Sequence, residues 1–256
     1  MAAAIDGPTG YREWTAPPPL DRYLACAWTG GIGPPASSGE PVLPDGCVDI
    51  IWNGSRLFVA GPDTAPTRQA TDGSLFVGVR FRPGMAPLFL GLPAHELRDR
   101  RVDLAVLWPD EAGLPDALHG AVTLPQMASA MGRALVRRLP GVADPDPVFE
   151  HAARAWGSGA TDLSTARLAE LAAVSERQLH RRFLAAVGYG AKRLQRILRF
   201  QAFLAPCGRP VPREGGAGLA ELAAGVGYAD QAHLTREARA LAGRTPAQLR
   251  AARANV

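Results

Sequence analysis

LAELAAVSERQLHRRFLAAVGYGAKRLQR (residues 168–196) and LAAGVGYADQAHLTREARALAGRTPAQLR (residues 222–250) are two versions of one pattern. Leu168 aligns with Leu222. After one extra residue in the middle turn of the second copy, Leu179 meets Leu234 and Gly188 meets Gly243. Each copy reads as a short apolar helix, a tight break and a second helix with one apolar and one polar face. Repetition of a unit this size is a statement about fold, because both copies build the same supersecondary element. The element is a helix-turn-helix.

The spacing assigns the faces. In the first copy Ser175 and Gln178 have the separation of a capping box, in which each side chain satisfies a free amide at the helix start. Leu179, Phe183 and Ala186 then face inward, while Arg177, His180, Arg181 and Leu184 recur at helical spacing on the other side. In the second copy Gly227 breaks the chain, Asp230 is placed to cap, and Leu234, Ala238 and Leu241 face inward. Gln231, Ala232, Thr235, Arg236 and Arg239 face outward. Thr245, Pro246 and Gln248 open a last helix.

Between the copies, residues 191–204 read as one helix with Arg193, Arg196 and Arg199 on its basic side. Arginine donates two hydrogen bonds to guanine and glutamine pairs with adenine in the major groove, and Arg177, Arg181, Gln231 and Arg236 supply those groups. A connector of that size is about 20 Å long. With a packed body at each end, it sets the outward helices about 34 Å apart, one turn of duplex DNA. The rival reading of this half is a basic helical bundle that binds protein.

The composition fits this division. Apolar residues make up 47% and charged residues 20% of 256 positions, as expected of a soluble globular chain. No apolar run approaches the ~20 residues of a membrane span. The start MAAAIDGPTG lacks the basic and apolar parts of a secretion signal, so a cytoplasmic, nucleoid-associated protein is expected. Residues 144–256 carry 16 Lys+Arg against 10 Asp+Glu, which leaves 12 against 14 of the chain's 28 and 24 for residues 1–143. A basic half joined to a slightly acidic one suits a nucleic-acid-binding module with a partner domain. Cys26, Cys47 and Cys207 are odd in number and widely spaced, so neither a metal site nor a cofactor is expected.

In the N-terminal half, residues 22–29, 47–53, 56–61 and 75–81 are strand-length runs rich in Val, Ile, Phe and Trp. Pro34-Pro35, Pro44-Asp45-Gly46, Asn53-Gly54 and Asp72-Gly73 break them, and Asn53-Gly54 predicts a hairpin. The expected class is α+β: a small antiparallel sandwich or barrel, then helices including residues 102–108 and 124–139. Leu124, Met127, Met131 and Leu135 form an apolar stripe, which serves either the core or a homodimer seam. GVADPDP (residues 141–147) has linker composition and divides an N-terminal domain, 1–143, from a DNA-binding domain, 144–256.

No catalytic fingerprint is present, so an enzyme is not expected. Cys47, Asp49 and Trp52 on one strand and Arg80 and Arg82 on another are the candidate ligand-binding residues, with ordinary burial or solvation as the alternative. The sharpest enzymatic rival is a thiol-based methyl acceptor or DNA repair protein using Cys47.

The C-terminal hundred residues resemble the DNA-binding domain of the AraC/XylS transcription regulators, on LAELAAVSERQLHRRF, GYADQAHLTR and the closing GRTPAQLR. The resemblance implies two helix-turn-helix motifs joined by a long helix. It also implies base contacts from Arg177, His180 and Arg181 in the first motif and from Gln231, His233, Thr235 and Arg236 in the second. Arg193, Arg196 and Arg239 are expected on phosphates. Ala238 departs from the phenylalanine usual in the family, and the loop at residues 207–218 is longer than usual. PDGCVDIIW and GVRFRPG are similar to the sensory domain on many actinobacterial members, which implies a small-molecule effector or a dimerisation role. Promoter DNA and RNA polymerase are the macromolecular partners implied.

Overall fold

The computed structural model describes residues 5–6, 11–30, 41–67, 75–158, 163–207 and 218–254. The breaks expected at Pro34-Pro35 and Asp72-Gly73 and most of the loop 207–218 lie outside these residues. Among the described residues seven strands form one antiparallel sheet: β1 (Ile5–Asp6), β2 (Arg12–Trp14), β3 (Leu24–Gly30), β4 (Val48–Trp52), β5 (Leu57–Ala60), β6 (Phe76–Phe81) and β7 (Arg101–Asp103). Their order across the sheet is β1-β2-β3-β6-β4-β5-β7. The four runs read as strands are β3 to β6. Asn53-Gly54 makes the predicted hairpin. Gly54 takes φ +89°, the Asn53 side-chain oxygen accepts from the Arg56 amide at 2.7 Å, and Trp52 pairs with Leu57.

The α+β class stands, but the described strands make one sheet where a sandwich or barrel was expected. The second layer is helical. Helices α1 (Ala86–Leu90), α2 (Leu104–Leu107), α3 (Leu114–His119) and α4 (Leu124–Arg138) follow the last long strand. Ile50, Trp52, Val59, Val77, Val79 and Phe81 share one sheet face, and they are buried in one core with Phe89, Leu118, Met131 and Leu135 of the helices. Covering one face of an antiparallel sheet with helices buries its apolar side chains without a second sheet. The stripe on α4 is spent in this core: Met131 and Leu135 are buried and Leu124 and Met127 pack against them. The stripe is therefore core packing along this helix. Residues 102–108, read as helical, begin in β7. Asp103 then turns the chain, its carboxylate accepting from the Ala105 amide at 3.1 Å to start α2.

The C-terminal half is helical: α5 (Pro147–Gly157), α6 (Thr165–Leu171), α7 (Glu176–Val187), α8 (Ala191–Cys207), α9 (Leu219–Gly225), α10 (Gln231–Ala242) and α11 (Pro246–Ala254). Helices α6 and α7 are the first motif and α9 and α10 the second. The connector α8 has 17 residues, three more than expected. That makes it about 25 Å long. It buries Leu194, Ile197, Phe200, Phe203 and Leu204 in the core that both motifs share.

The first core draws on residues up to Val142 and the second on residues from Val148 onward, with Leu43 the exception. Leu43 crosses because the turn that follows it docks on the helical half. The Gln201 side-chain amide donates to the Pro44 carbonyl at 2.6 Å, and Gly46 lies beneath Leu194 and Tyr189.

Candidate nucleic-acid interface

Both outward helices begin as the sequence predicts. Ser175 and Gln178 form a complete capping box at α7, with the Gln178 amide 3.2 Å from the Ser175 hydroxyl and the Ser175 amide 2.9 Å from the Gln178 side chain. Asp230 accepts from the His233 amide at 2.6 Å at the start of α10. Thr245 and Gln248 cap α11 in the same reciprocal way. Each cap satisfies end amides that have no partner within the helix, and so fixes where the helix starts and which residues lead it.

Arg177, His180 and Arg181 are exposed on α7, and Gln231, Arg236 and Arg239 are exposed on α10. Gln231, Ala232, Thr235, Arg236 and Arg239 line one depression of about 550 Å³ along α10. Thr235 is half-buried and its hydroxyl donates to the Gln231 carbonyl at 2.8 Å.

Three expected DNA contacts are placed differently. His233 is half-buried and turned inward, its ring edge-on to Tyr228 at 5.2 Å and its Nε2 3.7 Å from Glu237. One step after Ala232 on the helix, it falls on the side facing the turn rather than the solvent. Arg193 donates to the Thr64 carbonyl at 2.8 Å, because its part of α8 lies against the N-terminal half. Arg196 donates from Nε to Glu237 at 2.7 Å, because its part of α8 faces α10. Arg239 keeps the exposed position expected of a phosphate contact.

Sequence reasoning missed Glu237, whose side chain is 7% exposed on the inner side of α10. Arg196 and Arg199 both converge on its Oε1, Arg199 at 3.1 Å. The available signal was a carboxylate three residues after the inward Leu234, opposite arginines spaced i, i+3 on the connector. The aligned position in the first motif is Arg182, which pairs with Asp146 at the start of α5. Sequence reasoning also missed that the N-terminal half reaches α7. The Arg98 side chain donates to the Gly188 carbonyl at 3.3 Å, and His95 Nδ1 lies 3.3 Å from the Leu184 carbonyl. Leu184 is accordingly half-buried, although its spacing puts it on the outward face.

The candidate ligand residues split. Asp49 and Arg80 are cross-strand partners on the sheet face opposite the helices, joined by two hydrogen bonds of 3.1 Å. Arg80 also lies 3.4 Å from Asp45, and Cys26 sits across from it on β3. Burial alone would lower the Arg80 guanidinium, but Asp49 and Asp45 hold it well above its ordinary value. Burial pushes the Cys47 thiol well up, with Asp45 adding to the effect, and pushes Cys26 up to about 12. Trp52 is on the other face, buried in the helical core with its ring edge-on to His119. It is two strand positions from Ile50 and three from Asp49, so the pleat separates it from the carboxylate. Arg82 lies past the end of β6, exposed, with Nε donating to the Asp21 carbonyl at 3.2 Å.

Among the described residues no three His, Cys, Asp or Glu side chains are grouped to hold a metal ion, and no helix is long and apolar enough to cross a membrane. Residues 168–252 match a family model described as a helix-turn-helix domain, and residues 12–103 match one described as a domain of unknown function. No curated protein matches the chain. Among solved structures, ToxT from Vibrio cholerae O395 is similar at 9% identity and a TM-score of 0.47, over 85% of this chain and 93% of that one. Unsaturated fatty acid bound wild-type ToxT from strain SCE256 is similar at 11% identity and a TM-score of 0.44, over 82% and 88%.

Proposed function

We propose that this chain, a DNA-binding transcription regulator with an AraC-type helix-turn-helix domain at residues 168–252, reads two successive major-groove segments of promoter DNA with α7 and α10. The observation that carries this reading is the pair of capped helices, each with an exposed polar face, mounted on one connector helix of about 25 Å. In this reading Arg177, His180 and Arg181 contact bases of one segment, and Gln231, Thr235 and Arg236 those of the other. Arg239 contacts phosphate. His233, Arg193 and Arg196 hold the protein surfaces that present these groups.

Residues 1–143 form the sensory unit in the same reading, and 144–256 the reading unit. The half-buried Arg80–Asp49 pair, with Cys47 beside it, is where a small anionic effector would act, by competing with the carboxylates for the guanidinium. Contact with RNA polymerase, self-association and residence on the nucleoid belong to this reading as well. The rival reading would use the Cys47 thiolate, and burial, with Asp45 adding to it, raises that thiol.

Selection of bound sequences from a random duplex library, followed by footprinting with the full chain, tests the reading. The expected result is two protected segments about one helical turn apart, with an affinity that falls steeply as salt rises. Binding with no sequence preference would overturn it.

A further inference from the structure

Helix α10 presents Gln231 and Arg236 to solvent, but a reading helix needs a fixed rotation about its own axis as well as an exposed face. Its capping aspartate fixes where it starts. Apolar burial of Leu234, Ala238 and Leu241 fixes which side faces the core. Ala238 is a small residue, however, and makes no large knob to set the rotation. Directional bonds set that rotation more finely than Leu234 and Leu241 alone.

Such bonds converge on Glu237. Arg196 donates from Nε at 2.7 Å and Arg199 from Nη2 at 3.1 Å, both from the connector and both to Oε1. Arg199 does more than pair. Its Nη1 lies 3.4 Å from the Gly227 carbonyl in the turn of the motif, and its guanidinium sits 4.7 Å over the Tyr228 ring. Tyr228 in turn packs edge-on against His233, one turn before Glu237 on α10. The connector thus holds the turn and the reading helix through one guanidinium and one buried carboxylate.

A buried carboxylate is costly unless paired, and an apolar residue of similar volume would often pack there with no loss of stability. What the ion pair adds is direction: two guanidinium donors meet one oxygen from a helix whose own position is set by the core. We infer that Glu237 is a positioning residue for DNA reading, fixing the angle of α10 on α8 and with it the spacing between the two half-sites. This rests on the proposed DNA reading. Glu237 touches no base in it and acts through Arg196, Arg199 and the turn.

The test uses the full-length chain and a random duplex library in which both the half-sites and their separation vary. The wild type is expected to select one separation. Glu237→Gln keeps the shape but loses the charge, and should broaden the selected separations and weaken preference in the second half-site at least tenfold, with the first half-site unchanged. Arg196→Ala, which removes a half-exposed donor and keeps Arg199 in place, should show the same broadening to a smaller degree; it carries the test if Glu237→Gln does not fold. A merely structural role would lower stability and overall affinity and leave the selected separation as it is. A wild type that selects a bipartite site, with folded variants that keep its separation, overturns the role of Glu237 alone. A wild type that selects no bipartite site overturns the DNA reading itself, and the inference with it.

Discussion

Helix α7 is held by aromatic packing and by the N-terminal half of the chain, whereas α10 is held by a buried ion pair to the connector. Phe183 of α7 is fully buried, edge-on to Phe149 at 5.0 Å and 6.0 Å from Trp156. Ala238 stands at the matching position of α10, also fully buried. One residue earlier, Arg182 of α7 pairs with Asp146 of the helical half's first helix, and Glu237 of α10 pairs with Arg196 and Arg199. Both copies place an ion pair at this position, with opposite charge and on different partners. A repeated motif can therefore share a fold while each copy answers to a different part of the molecule. The first touches the N-terminal half, through Arg98 and His95, and the second the connector.

The sharpest way to break this comparison is to remove the aromatic anchor. Phe183→Ala should cost about 3–5 kcal/mol, since it leaves a cavity among Phe149 and Trp156. Denaturant unfolding followed by tryptophan fluorescence would read it. A loss below about 1 kcal/mol would mean that α7 does not depend on that anchor.

Next in size is the outward face. Arg177→Ala and Arg236→Ala should each lose about 1–3 kcal/mol of binding and relax preference at one base position, one in each half-site. Titrations against single-base variants of the selected site would show this. Arg239→Ala, as a phosphate contact, should instead weaken all sequences alike and reduce the salt slope by about 1. If α7 is the better-anchored reader, base changes in its half-site should cost more affinity than changes in the other. The reverse order would show that the ion pair to the connector anchors better than Phe183 does.

Much of this was legible in the sequence because local rules dominated. The repeat, the caps at Ser175, Asp230 and Thr245, and the Asn53-Gly54 turn are set by neighbours within four residues, and all appear where the spacing puts them. The outward positions of Arg177, Arg181, Gln231 and Arg236 follow from helical period alone. What escaped was long-range. Nothing local reveals that Arg193 meets Thr64, that Arg196 meets Glu237 or that Arg98 reaches Gly188. A basic residue on an amphipathic helix has the same signature whether its partner is a phosphate or a carboxylate of the same chain. Trp52 and Asp49 were grouped by nearness in sequence, and the strand's alternation set them on opposite faces.

The smallest expected effect isolates the contact between the halves. Gly188 and Gly243 close their helices at matching positions, both left-handed, at φ +89° and +66°. Adding a side chain there costs roughly 1–2 kcal/mol from backbone strain alone, so the strain should nearly cancel between the two sites. Their surroundings differ. A methyl group at Gly243 would meet nothing within 4 Å, while at Gly188 it would come within 2.6 Å of Pro62 and 3.1 Å of the Ala94 carbonyl, both in the N-terminal half. Gly188→Ala should therefore exceed Gly243→Ala by about 1 kcal/mol, the low end of what overpacking costs. The excess measures the interface and not the helix end. Thermal unfolding should also change in kind: Gly188→Ala separates melting of the two halves, and Gly243→Ala leaves it cooperative. Equal losses with equal cooperativity would mean that the N-terminal half rests on α7 without holding it, and the two motifs would then differ only in their side-chain anchors.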